Sequence, residues 1–303
     1  MQFTINELSF ISKQYDTLSD LSFFRNVKAE LQGSEEKTLN EKGVIKNGKL
    51  TEPINTIFDV LAKADKSARF VMKMTNAIME KGVYSKDDKR ILVENMQGEI
   101  VLTMYDDKSE SVRQEIAEQT GMSIQKNSVI DILVSIEDVL LITNLVDWLR
   151  KMTLLEYSSD IDIPVLSVDK FKDYLKKPMR NSLAKIIASL YELSPISSEN
   201  IEDKLKKLEQ NNFIEIKNNE ISISQPLVDF GMSFLIPETQ IVLETFDGST
   251  SGPIITASSV IIGATPKDIL SLTATDEGME MSTMSSGELL RQIDAYLKCP
   301  NLE

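Results

Sequence analysis

Leu39-Asn40-Glu41-Lys42-Gly43-Val44-Ile45, followed by Asn47-Gly48-Lys49-Leu50, spells a helix end, a stop, a strand and a tight turn. Gly43 suits the position just past a helix, where the backbone turns left-handed, Val44-Ile45 open a strand, and Asn47-Gly48 is a tight-turn dipeptide. The same order recurs at Leu208-Glu209-Gln210-Asn211-Asn212-Phe213-Ile214, followed by Asn218-Asn219-Glu220-Ile221. Both copies continue with a proline-started apolar segment, Pro53 to Leu61 and Pro226 to Leu235, and then a strand, Arg69 to Met74 and Gln240 to Thr245. Both close with further strands and a terminal helix. The second of these is capped by Ser285-Ser286-Gly287-Glu288 and places Leu289, Leu290, Ile293 and Leu297 on one face. A repeat of roughly 150 residues is far longer than the 20 to 50 of a solenoid unit. It predicts an α/β (α+β) fold of two halves, residues 1-156 and 157-303, related by a pseudo-twofold axis and sharing a sheet.

Outward from this repeat, Thr4-Ile5-Asn6-Glu7 has the capping-box form and starts a helix that runs to about Tyr15. A second helix is expected from Leu21 to Leu31. Period two at Phe70, Val71, Met72 and Met74 predicts a strand, and Arg90-Ile91-Leu92-Val93-Glu94 and Glu99-Ile100-Val101-Leu102-Thr103 predict two more about Gln97-Gly98. Between the first two of these strands, residues 76-88 read as a loop carrying Ile78, Met79, Val83 and Tyr84. A helix is expected from Ser109 to Thr120. Val129 to Met152 combines a short strand with a helix capped by Ser135, in which Trp148 anchors the core.

Leu183, Ile186, Ile187, Leu190 and Tyr191 have helical spacing. Ser198 can cap a helix with Ile201, Leu205 and Leu208 on one face, and a hairpin follows about Asn218-Asn219. Helix, helix, hairpin is a winged-helix layout, so a winged-helix adaptor or transcriptional regulator is the alternative reading. Lys204, Lys206 and Lys207 share that helix with Glu199, Glu202, Asp203 and Glu209, which leaves it without net positive charge for phosphate contact.

Composition narrows the chemistry. The 303 residues contain no histidine, which removes the commonest general base and zinc ligand. The one cysteine, Cys299, can form no intramolecular disulfide and no metal cluster. No phosphate-binding glycine loop is present; Gly263-Ala264-Thr265-Pro266-Lys267-Asp268 has neither the spacing nor the Lys-Ser/Thr ending. The chain is therefore expected to be no enzyme and to hold no cofactor or metal. A net charge of -14 repels nucleic acid and anionic lipid, and the longest uncharged apolar run, near Val139 to Val146, is too short to cross a bilayer. With no basic, apolar start of the secretory kind, the expected address is cytoplasmic and the expected partner another protein.

The order of these features resembles the EspG-type chaperones of the type VII (ESX) secretion system. It rests on Phe3-Thr4-Ile5-Asn6-Glu7-Leu8, on Leu39, Glu41-Lys42, Gly43, Val44-Ile45 and Gly48 before Ile57 to Leu61, and on the strands and amphipathic helix from Glu238 to Leu297. The stretch Met122 to Tyr174 departs from the family pattern. The resemblance implies two quasi-twofold halves sharing an antiparallel sheet, with helical bundles at the ends. It also implies a cytoplasmic protein that binds a secreted helical-hairpin substrate, keeps it soluble and presents it for export. Ile78, Met79, Val83 and Tyr84 then fall in a substrate-contacting loop. Methionines suit adaptable apolar surfaces, and Met279, Met281 and Met284, alternating in a late strand, are the second expected contact set.

Overall fold

A computed structural model describes the chain except for residues 53, 97, 107–109, 160–163, 250–251 and 299–303. Pro53, Ser109 and Cys299 thus lie outside the described residues. The elements spell the repeat in full. The first copy comprises β1 (Gln2–Phe3), α1 (Ile5–Ser12), a 3-10 turn (Phe23–Asn26), α2 (Glu35–Glu41), β2 (Ile45–Lys46), β3 (Lys49–Leu50), α3 (Ile54–Ala62), β4 (Lys66–Lys73), β5 (Ile78–Lys86), β6 (Lys89–Met96), β7 (Glu99–Met104) and α4 (Glu110–Thr120). The second comprises β8 (Asp131–Val134), α5 (Ile136–Ser159), α6 (Val168–Lys176), α7 (Leu183–Leu190), α8 (Ile201–Gln210), β9 (Ile214–Lys217), β10 (Glu220–Ile223), α9 (Gln225–Ser233), β11 (Thr239–Ser249), β12 (Gly252–Thr265), β13 (Asp268–Thr275), β14 (Gly278–Met284) and α10 (Ser286–Leu297).

The hydrogen-bonded order of the ten-stranded antiparallel sheet is β1-β7-β6-β5-β4-β11-β12-β13-β14-β8. Mapped copy onto copy, β1 answers to β8 and β4–β7 to β11–β14, so the order reads the same from either edge. Register makes the mapping residue by residue: Gly82 opposes Val93 as Val260 opposes Leu272, and Lys81 opposes Glu94 as Ser259 opposes Thr273. Likewise Phe3 opposes Ile100 as Val134 opposes Met279. The residue after each of these edge strands caps a helix, Thr4 through a capping box with Glu7 and Ser135 through Asp138. Each capping acid then receives a lysine, Lys42 at 2.8 Å on Glu7 and Lys207 at 2.7 Å on Asp138. The opening stretch behaves as read: Gly43 and its counterpart Asn212 both end a helix at positive φ, +71° and +59°.

By compactness the chain divides into two units. The first gathers residues 1–116 and 241–258 with those from Leu290 onward; the second gathers residues 117–240 and 259–289. Strand β12 passes from the one into the other. The 156/157 boundary expected from sequence lies within the last turn of α5, while the repeat begins its second copy at β8.

In the first unit, one face of the strands carries Tyr84, Ile91, Val93 and Leu102 against Phe3, Leu8, Phe24 and Phe58 from the 1–62 segment. The opposite face carries Lys81, Val83 and Ser85, all buried, under α4. In the second unit α5 packs on β14, α6, α7 and α9, and Trp148 is buried as expected. Asp147 of α5, fully buried, accepts from Ser182 Oγ at 2.6 Å and from the amides of Leu183 and Ala184 at 2.9 and 3.0 Å. It thereby caps the start of α7 while pairing with Arg150, which donates to the carbonyls of Asn181 and Leu235. Two expected elements differ. The expected helix from Leu21 to Leu31 is only a 3-10 turn, held by Ser22 Oγ accepting from the Phe24 amide. Helix α8 starts after Asn200 at positive φ, not at Ser198.

Candidate partner-binding surface

Residues 76-88 are not a loop. All but the turn ends belong to β5, which pairs with β4 from Lys66↔Ser85 to Lys73↔Ile78 and with β6 from Lys81↔Glu94 to Lys86↔Lys89. The strand escapes a search for alternating apolar residues because its buried face carries Lys81 and Ser85 beside Val83. Lys81 is tolerated there because it pairs with Glu94 across the ladder and with Glu115 of α4 at 2.6 Å.

Strand alternation also divides the four expected contact residues between two faces. Ile78 and Tyr84 share one, Met79 and Val83 the other. Ile78, beside the β4–β5 turn, is 71% exposed and Met79 is half-buried, whereas Val83 is fully buried in the core. Tyr84 is half-buried and meets the ring of Phe23 edge-on at 5.6 Å. Burial, and after it the Glu80 carboxylate, pushes its phenol up to about 12.

The methionines of β14 are placed differently from expectation. Met279 and Met281 share one face of the strand and are buried, and Met284, half-buried, lies on the opposite face. Of the seven residues singled out in the sequence, Ile78 alone is strongly exposed.

Sequence reasoning missed a groove. Over the first unit's strands, Gly82, Val93, Asn95 and Ile100 form the floor of a depression of about 730 Å³, with Tyr84 and Phe246 at its sides. The segment around the 3-10 turn makes one wall. Its rim charges are paired, Arg25 with Asp20 at 2.7 Å and Arg69 with Glu80 at 3.2 Å. In the second unit an apolar pocket of about 260 Å³ lies among Leu140, Leu175, Ala184 and Ile196. The lysines of the winged-helix segment are engaged by acids of the chain itself: Lys204 by Glu137, Lys206 by Asp203 and Lys207 by Asp138. Among the described residues no cluster of acids or cysteine is arranged to hold a metal ion, and no helix is long and apolar enough to cross a membrane.

No family model and no curated protein matches the chain by sequence. Among solved structures the fold has a counterpart over its whole length: the Mycobacterium tuberculosis type VII secretion system chaperone EspG5, solved in complex with a PE25-PPE41 dimer. The likeness covers 100% of this chain and 98% of that one, with a TM-score of 0.57 at 8% sequence identity. The chain has an EspG-type fold. Coverage of both chains nearly end to end means that the EspG-type fold includes both repeat copies, and the resemblance read from the ordered motifs is confirmed at the level of fold.

Proposed function

We propose that the chain is a cytoplasmic chaperone that binds a helical substrate of a type VII secretion system, keeps it soluble and presents it for export. The observation that carries this reading is the end-to-end likeness to a chaperone solved with its bound dimer. Physical chemistry supports it. A secreted helical protein exposes apolar surface that needs covering before export, and the chain offers Ile78 and Met79 beside a hairpin turn and Tyr84 at the side of a groove. Val83, Met279 and Met281 are buried in the core and are not among the residues offered to a partner. Catalysis has no part in the reading: the chain lacks histidine, and Asp147, the most deeply buried acid among the described residues, is engaged in capping a helix.

The test is affinity capture of the tagged chain from its own host, with Ile78→Asp as the paired variant. Wild type should recover one small helical protein that is also found in the culture medium. The variant should lose most of it while keeping its melting temperature, because an exposed position tolerates the charge. Recovery of nucleic acid or metabolites alone would overturn the proposal.

A further inference from the structure

The two copies cover the same sheet face differently. In the second unit α7 packs on α5 with Leu183 and Ile187 buried, and Tyr191, just past the helix end, reaches the sheet and donates from its hydroxyl to the carbonyl of Leu272 at 3.0 Å. The register equivalence puts Val93 of the first unit at the position of Leu272, and Gly82 at that of Val260. There the segment between α1 and α2 supplies a 3-10 turn and no helix, and the groove lies open over Gly82 and Val93.

We propose that this groove takes an amphipathic helix of a partner protein, seated as α7 is seated in the second unit and bringing an aromatic side chain to the strand at Val93. The inference rests on the chaperone reading only for the helical character of the partner. The floor fits that occupant. Gly82 keeps it low where the second copy has a buried valine, and a side chain at this position would come within 3.2 Å of the Tyr84 ring. Because the rim charges are already paired with one another, an apolar helix face enters without leaving a charge unpaired, whereas a charged ligand would compete with those pairs. A second copy of the chain is a poor occupant, since each carries a net charge of -14 and repels its like.

The probe is a fluorescent, side-chain-stapled peptide of residues 182–193, the chain's own α7 with Tyr191, titrated into the intact protein and followed by anisotropy. Stapling is needed because so short a helix is marginal in water. Saturable binding is expected, weakened about tenfold by Tyr191→Ala in the peptide. It should be abolished by Gly82→Leu in the protein, and also by Asn95→Leu, an exposed floor position where added bulk leaves the core untouched. No binding to wild type, or equal binding to both filled variants, overturns the inference, as does a dimerisation of the chain that Gly82→Leu abolishes. The chaperone reading fails separately: peptide binding that obeys the groove variants, with no secreted helical protein captured from the host, leaves the groove assigned and removes the substrate.

Discussion

At position 81 of β5 a buried lysine faces Glu94; at the matching position of β12, Ser259 faces Thr273 through a hydroxyl pair 2.7 Å apart. One copy satisfies an interior polar position with an ion pair, the other with a neutral hydrogen bond. A similar contrast holds outside the sheet. Helix α1 stops after eight residues, and its equivalent α5 runs for 24, providing the surface on which α6, α7 and α9 assemble. What the copies share is register, turns and caps; what they do not share is the chemistry filling those positions. A fold specified in this way can be kept from end to end while identity to a structural counterpart falls to 8%.

The largest effect should come from the part that only the second copy has. Asp147→Ala strands the buried Arg150 and three donors at the start of α7, a loss of about 3–5 kcal/mol that thermal denaturation will show as a markedly lower midpoint. Removing both charges together, as Asp147→Leu with Arg150→Met, should cost less than the single change. Asp16→Ala, on the exposed stretch after the short α1, should stay within about 0.5 kcal/mol of wild type. If Asp147→Ala is as harmless as Asp16→Ala, the contrast between long and short helix has no energetic content.

Next in size is a transplant between the copies. Lys81→Ser alone leaves Glu94 partly buried without its cation and should cost about 2–4 kcal/mol in urea unfolding. Adding Glu94→Thr recreates the hydroxyl pair of Ser259 and Thr273 and should recover at least half of that loss. Glu115, 45% exposed, can turn to water in both variants. Additive losses in the double variant would show that the two positions are not interchangeable solutions of one problem.

The same features decide what was legible in the sequence. Thr4-Glu7 and Ser135 were readable because a cap is a local contract between a side chain and nearby amides, and the tight turns at Asn47-Gly48 and Asn218-Asn219 because φ > 0 selects few residues. β5 was misread as a loop because the reason for Lys81 lies in Glu94 and Glu115, which only folding brings near. Leu21 to Leu31 reads as a helix because its apolar residues suggest one, while Ser22 and Arg25 bind the backbone locally instead: Ser22 Oγ accepts from the Phe24 amide and Arg25 donates to the Ser19 carbonyl. The groove left no signal in one copy alone. It emerges when Gly82 is set against Val260 and the 3-10 turn against α7, a comparison that needs the register.

The smallest expected effect also comes from that register, at Tyr84, whose counterpart is Ile262. The folded phenol titrates near 12 because burial disfavours its anion, and an unfolded tyrosine titrates near 10. A group that holds its proton more tightly when folded contributes stability that is present below the unfolded value and is lost as pH rises through the folded one. Wild type should therefore lose stability between about pH 10 and 12, by up to roughly 1.4 kcal/mol at pH 11 from this residue. Tyr15 and Tyr174 are raised by burial too, so the decisive quantity is the difference between wild type and Tyr84→Phe, each unfolded in urea at pH 8 and at pH 11. The variant, which titrates at this position no more than Ile262 does, should fall less steeply. Equal slopes would place the Tyr84 hydroxyl in water and open the groove wall at that point.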